Sequence, residues 1–132
     1  GWCFMTPMTS EWVKKAESDF DNACTLRRSR RANRYDGICF SCQHAAEKYL
    51  KARVDHAGLQ VPRVHDLAML VGLLAQVEPL WIVLAVELRA INNHAVVTRY
   101  PGQWATPAEA RTSFATCTKI RSLVRTSLCI SP

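Results

Sequence analysis

No uninterrupted apolar run in the sequence approaches the ~18 residues that a membrane-spanning helix needs. The longest, Leu67 to Ala75 and Leu80 to Val86, are divided by Gln76, Glu78 and Pro79, so no membrane partner is expected. No secretory leader is expected either, since Gly1 to Phe4 is short and uncharged, with no cleavage-like stretch after it. No segment alternates apolar and polar residues for long, which argues against β-strands. Internal repeats and low-complexity tracts are absent. Acidic residues are scarce, 11 Asp and Glu against 17 Lys and Arg, giving a net charge of +6 over 132 residues. That balance favours anionic partners such as nucleic acid, nucleotides or acidic proteins without choosing among them.

What remains is an ordinary globular composition, 48% hydrophobic and 21% charged, which excludes global disorder and is long enough for one domain with its own core. The chain opens on Gly1 rather than Met. Residues 1–8 are therefore read as an N-terminal extension or cloning remnant, with Met5 or Met8 as the natural start, and residues 9–132 as a single helical domain. Six cysteines raise the possibility of a disulfide scaffold. They fall at core-facing helical positions, however, so buried reduced thiols and a cytoplasmic location are the expectation.

The periodicity predicts helices throughout. Thr9 or Ser10 can cap a first helix with the apolar stripe Trp12, Val13, Ala16, Phe20, Ala23 and Cys24. It ends in a basic stretch, Arg27, Arg28, Arg30, Arg31 and Arg34, which suits a helix C-terminus. A second helix starts near Tyr35 and carries Ile38, Cys39, Cys42, Ala45, Ala46, Tyr49, Leu50 and Val54 at three- and four-residue steps. Gln43, Glu47 and Lys51 form a polar stripe beside them. Gly58 stops this helix. Asp66 can cap a third helix, Leu67 to Val77, and Pro79 opens a fourth that runs towards Ala95. These two are apolar nearly all round, which predicts a dimer interface. Thr106-Pro107-Ala108-Glu109 is a capping box with Pro in the first turn, followed by a fifth helix bearing Phe114, Cys117, Ile120, Val124 and Leu128. Short connections favour antiparallel neighbours. The expected fold is an all-α, up-and-down antiparallel bundle of about five helices, forming a homodimer.

Four strings on these elements resemble one family. They are the first helix, Trp12 to Phe20 followed by Ala23; Cys42-Gln43-His44-Ala45-Ala46-Glu47-Lys48-Tyr49-Leu50-Lys51-Ala52 on the second; Val64-His65-Asp66-Leu67 at the entry to the third; and Ala95-Val96-Val97-Thr98-Arg99-Tyr100-Pro101-Gly102 closing the fourth. Together they resemble the HEPN (higher eukaryotes and prokaryotes nucleotide-binding) domain, with His44 where the family pattern has a second Gln. The resemblance implies a four- or five-helix bundle, a dimer, and a nucleotide-binding module. It also implies a minimal nucleotidyltransferase as antitoxin partner in a two-component toxin–antitoxin-type system. For active members it implies metal-independent RNA cleavage by an Arg-x(4–6)-His motif. No cofactor and no metal are implied.

Arg89-Ala90-Ile91-Asn92-Asn93-His94 fits that motif literally. A His would move a proton at the ribose 2′-hydroxyl or the leaving oxygen, and an Arg would stabilise charge on the phosphoryl oxygens. Two departures weigh against cleavage. Ala90 stands where a polar residue often follows the motif Arg, and relatives with the Arg-Tyr-Pro ending commonly carry Tyr at the position of His94. Five helical residues also rotate by a net angle of about 140°, so Arg89 and His94 do not share a face. The favoured reading is a non-catalytic module that binds a nucleotide or its transferase partner, with Arg89 and His94 kept as candidate catalysts of the alternative, a ribonuclease toxin. Lys48, Lys51, Asn93, Arg99 and Tyr100 are candidate nucleotide- or RNA-binding residues; for Arg99 and Tyr100 the favoured reading is a structural helix end, since a Tyr-Pro break usually anchors a turn. Asp19 is expected in a structural ion pair with Lys48, Arg89 or Arg99; Gln43, Glu47, Lys48 and Lys51 either line a nucleotide cleft or leave Glu47 and Lys51 as an exposed i,i+4 ion pair. His65 beside Asp66 is read as part of a helix start rather than a catalyst. Cys39-x2-Cys42 lacks the second pair that a zinc site needs. The basic stretch is an RNA-phosphate contact or, at least as readily, a solvated loop or a docking patch for an acidic partner.

Overall fold

In a computed structural model, which describes residues 4–132, five α-helices and one 3-10 segment account for all regular structure among the described residues. They are α1 (Pro7–Arg28), α2 (Arg34–His56), α3 (Leu67–Leu74), the 3-10 segment Pro79–Leu84, α4 (Ala85–Val97) and α5 (Pro107–Ser127).

Helices α1, α3 and α5 each begin on a side-chain cap. Helix α1 starts earlier than its periodicity indicates: Thr6, not Thr9 or Ser10, caps it, its hydroxyl accepting the Thr9 N–H at 3.1 Å. Pro7 occupies the first turn, where its missing N–H costs nothing. Thr9 is instead buried and donates to Asp55 at 2.6 Å. Residues 4–8 of the proposed extension thus include the cap and first turn of α1, while Gly1, Trp2 and Cys3 lie outside the described residues. Helix α2 ends two residues before Gly58, which takes φ +77° as the sequence requires. Asp66 caps α3 through the Met69 N–H, and Thr106 and Glu109 form the reciprocal capping box of α5.

The third and fourth helices differ from expectation. Helix α3 stops at Leu74 rather than Val77, and Pro79 opens a 3-10 segment before α4 proper begins at Ala85. Pairwise contacts fix direction: Thr9 meets Asp55 and Asp19 meets Lys48, so α1 and α2 are antiparallel. Arg99 lies over Phe40 and Asn92 meets Gln43, so α4 is antiparallel to α2. Lys119 pairs with Glu87, and His94 approaches Ser113, so α5 is antiparallel to α4. The four long helices therefore alternate in direction, with α3 and the 3-10 segment inserted between α2 and α4. Helix α2 is central; Cys39, Cys42, Ala45, Ala46, Tyr49 and Leu50 are completely buried in it.

One continuous helical stretch, Pro79–Val97, is long and apolar enough to cross a membrane by length and composition alone, with mean hydropathy 1.3. The 3-10 segment runs on into α4, which counting uninterrupted apolar residues did not capture. Trp81, Leu84, Leu88, Ile91 and Ala95 turn one side of it into the bundle core. The cysteine expectation also needs correction. Cys39, Cys42 and Cys117 are buried free thiols and Cys24 is a partly buried one, whereas Cys129, exposed just after α5, is disulfide-bonded.

Candidate functional site

The helical rotation between Arg89 and His94 sends their side chains to different neighbours. His94 turns towards α5, where Nδ1 lies 3.4 Å from Ser113 Oγ and Nε2 lies 3.5 Å from Glu109 Oε2. Its side chain is mostly covered. Glu109 is held below the usual carboxylate range, first by the Thr106 backbone N–H and also by His94. Arg89 stays exposed and lines an open groove of about 300 Å³ with Asp66, Asn92, Asn93 and Val96. Among the described residues it has no hydrogen bond or ion pair.

Behind this groove lies a buried polar network. Gln43 Nε2 donates to the His65 carbonyl at 3.0 Å and to Asn92 Oδ1 at 3.3 Å. Glu47 accepts from Lys51 Nζ at 3.0 Å and lies 2.9 Å from His65 Nδ1. The Glu47 and Lys51 side chains are each only 6% exposed, so the pair is a buried one and not the exposed helix-surface pair that i,i+4 spacing alone suggests. Burial by itself would raise the Glu47 carboxyl, but hydrogen bonds from Lys51 and His65 outweigh it and hold the group lowered. Asn92 both accepts from Gln43 and lines the groove, so the network orients its amide. His65, read from the sequence as part of a helix-start network, joins this network from the entry to α3. Its side chain is 82% exposed, yet Glu47 fixes its Nδ1 edge. The signal was present in the shared stripe of Gln43 and Glu47, but nothing local says that the helix-3 entry packs there.

The remaining candidates fall outside the groove. Lys48 pairs with Asp19, which selects Lys48 over Arg89 and Arg99 as the partner of that acid. Lys51 is committed to Glu47, with the Trp12 ring 5.6 Å from its ammonium. Arg99 lies 5.9 Å over Phe40, which is itself 4.1 Å from the His44 ring; burial lowers the His44 pKa. Tyr100 is exposed beyond it. The structure thus gathers Arg89 and Asn93 with Asn92 and Asp66, and leaves Lys48, Lys51, Arg99, Tyr100 and His94 elsewhere.

Cys39 and Cys42 gain no third or fourth ligand, and no group of three or more His, Cys, Asp or Glu positioned for a metal occurs among the described residues. Burial pushes the Cys39 thiol up to about 11, and a hydrogen bond with Cys117, together with burial, pushes Cys42 up as well. Both are packing thiols.

The family model for the HEPN domain matches residues 9–127. The chain belongs to the HEPN domain family. No curated protein and no solved structure matches it. HEPN domains are all-helical, and the family covers nucleotide-binding and ribonuclease-type members. The element that carries the Arg-x4-His string in this HEPN domain is α4, with Arg89 on its open side and His94 against α5.

Proposed function

We propose that this HEPN domain is a nucleotide-binding module, acting as a homodimer beside a minimal nucleotidyltransferase in a toxin–antitoxin-type system. The observation that carries the reading is Arg89: an exposed guanidinium without a partner among the described residues, in a groove with Asn92 and Asn93. A guanidinium donates in a fork that matches phosphate oxygens, and the two amides supply donors beside it. His94, already engaged by Ser113 and Glu109, does not face that groove.

The homodimer reading rests on a face of the 3-10 segment and α4 where Leu80, Val83 and Val86 are 80%, 75% and 73% exposed. A contiguous apolar face of this kind marks an interaction surface. A second copy would cover it isologously, patch on patch.

The test is a calorimetric titration with ATP and with the cognate nucleotidyltransferase. Binding of ATP that weakens at least tenfold in Arg89→Ala and persists in His94→Ala supports the module; saturation by neither titrant counts against it. The ribonuclease alternative is read separately by incubating the protein with RNA in EDTA. Cleavage lost in both Arg89→Ala and His94→Ala would replace the binding reading with the enzymatic one.

A further inference from the structure

On another part of the surface, the end of α1 and the starts of α2 and α5 enclose a second cavity, of about 210 Å³. Three arginines line it, Arg27, Arg34 and Arg111, over a floor that includes Tyr35, Ile38 and Ala110. No carboxylate lines it. The two acids closest in sequence are occupied elsewhere: Asp36 accepts the Ala105 N–H at 2.6 Å, and Glu109 accepts the Thr106 N–H at 2.9 Å.

Two of the guanidiniums, Arg27 and Arg34, are held by rings and backbone rather than by opposite charges. Arg27 stacks 3.9 Å over Phe114. Arg34 lies 4.4 Å over Tyr35, donating to its hydroxyl at 2.7 Å and to the Arg31 carbonyl at 2.8 Å. Two of its five donors are thereby used to fix the plane, and three remain. Arg111 is exposed and has no hydrogen bond, ion pair or ring contact among the described residues. Three like charges converging on one cavity repel, and the arrangement is relieved by an anion bound between them. The two planar forks fixed in advance, those of Arg27 and Arg34, lose little freedom on gripping tetrahedral oxyanions. The cavity is too small to follow a nucleic-acid backbone, and Tyr35 is the one aromatic residue in it, so no stacking platform for successive bases is present.

We infer that the Arg27–Arg34–Arg111 cavity is a binding site for a small phosphoryl anion, of the pyrophosphate or polyphosphate class, separate from the Arg89 groove. The inference does not depend on what the groove binds.

The probe is sodium pyrophosphate, titrated by calorimetry at fixed ionic strength. The unaltered protein takes up one pyrophosphate per chain in this site, saturably. Arg111→Gln, at an exposed position without partners, weakens binding at least tenfold, and Arg27→Gln does likewise. Arg30→Gln, in the same basic stretch but outside the cavity, changes affinity less than twofold. Circular dichroism of each variant confirms that the helices are intact. Absence of saturable uptake would overturn the site. So would equal weakening by Arg30→Gln and Arg111→Gln, which is the mark of diffuse charge. Loss of pyrophosphate in Arg89→Gln alone would move the anion to the groove. Displacement of pyrophosphate by a single-stranded RNA without terminal phosphates, with affinity also lost in Arg111→Gln, would assign the arginines to RNA backbone instead.

Discussion

Glu47 and Lys51 show how little a polar stripe reveals about its own surroundings. Spacing of four residues places two side chains together on any helix, but whether water reaches them depends on what packs across. Here α3's entry and Trp12 of α1 cover them, and a pair worth a few tenths of a kcal/mol on a surface becomes a buried one. Removing one member leaves the other charge buried without compensation. Glu47→Ala is therefore expected to lower unfolding stability by about 3–5 kcal/mol, read as a shift in the urea midpoint, whereas Glu47→Leu with Lys51→Met recovers most of that loss. The acid limb follows with a definite sign. Because the folded-state carboxyl is lowered, its contribution is complete above the unfolded value, about 4.3, and is lost as pH falls through the lowered one. Melting temperature plotted from neutral pH downward is expected to fall less steeply in Glu47→Gln than in the unaltered chain. His94 teaches the same lesson from the other side. Its place in an Arg-x4-His string was plain in the sequence, but its neighbours Ser113 and Glu109 come from a helix fifteen or more residues away, and only the fold brings them to it.

Among the elements, those defined by local chemistry were legible. The capping box at Thr106 and Glu109 and the Asp66 cap need only residues three apart, and the Gly58 stop needs only its own backbone angle. Thr106→Ala is expected to cost about 1 kcal/mol, seen as a lower thermal midpoint, with α5 fraying first in amide exchange because the Glu109 N–H loses its acceptor. Elements whose form depends on packing were less legible. Leu67 to Val77 and the run after Pro79 have the composition of two plain helices. Yet α3 closes after eight residues and the chain takes a 3-10 course through Leu84. That course brings Trp81 and Leu84 into the core while Leu80 and Val83 face outward. The start of α1 was misplaced for a simpler reason: Thr6, Thr9 and Ser10 are all competent caps, and it is the bonds of Thr9 to Asp55 and of Thr6 to Thr9 that decide among them.

For the whole molecule, helix count, alternation of direction and core membership were readable from periodicity and short connections, because a bundle of this kind is specified by which faces are apolar. The disulfide at Cys129 was not, since its spacing carries no helical signal and lies past the end of α5. The outer face of the 3-10 segment and α4 was visible as excess hydrophobicity, and it leads to a test of assembly. Val83→Asp places a charge in the middle of that face and is expected to shift a dimer to monomer in light scattering, with the circular dichroism spectrum unchanged. A monomeric starting protein would remove the assembly from the account. The central claim remains that Arg89 with Asn92 and Asn93 forms the nucleotide groove, and the most direct measurement observes those groups themselves. In a nitrogen-15 NMR titration with ATP, the side-chain amides of Asn92 and Asn93 are predicted to shift saturably, and to stop responding in Arg89→Gln. Saturable shifts confined to Ser113, Glu109 and the His94 ring, with the two asparagine amides unmoved, would contradict it.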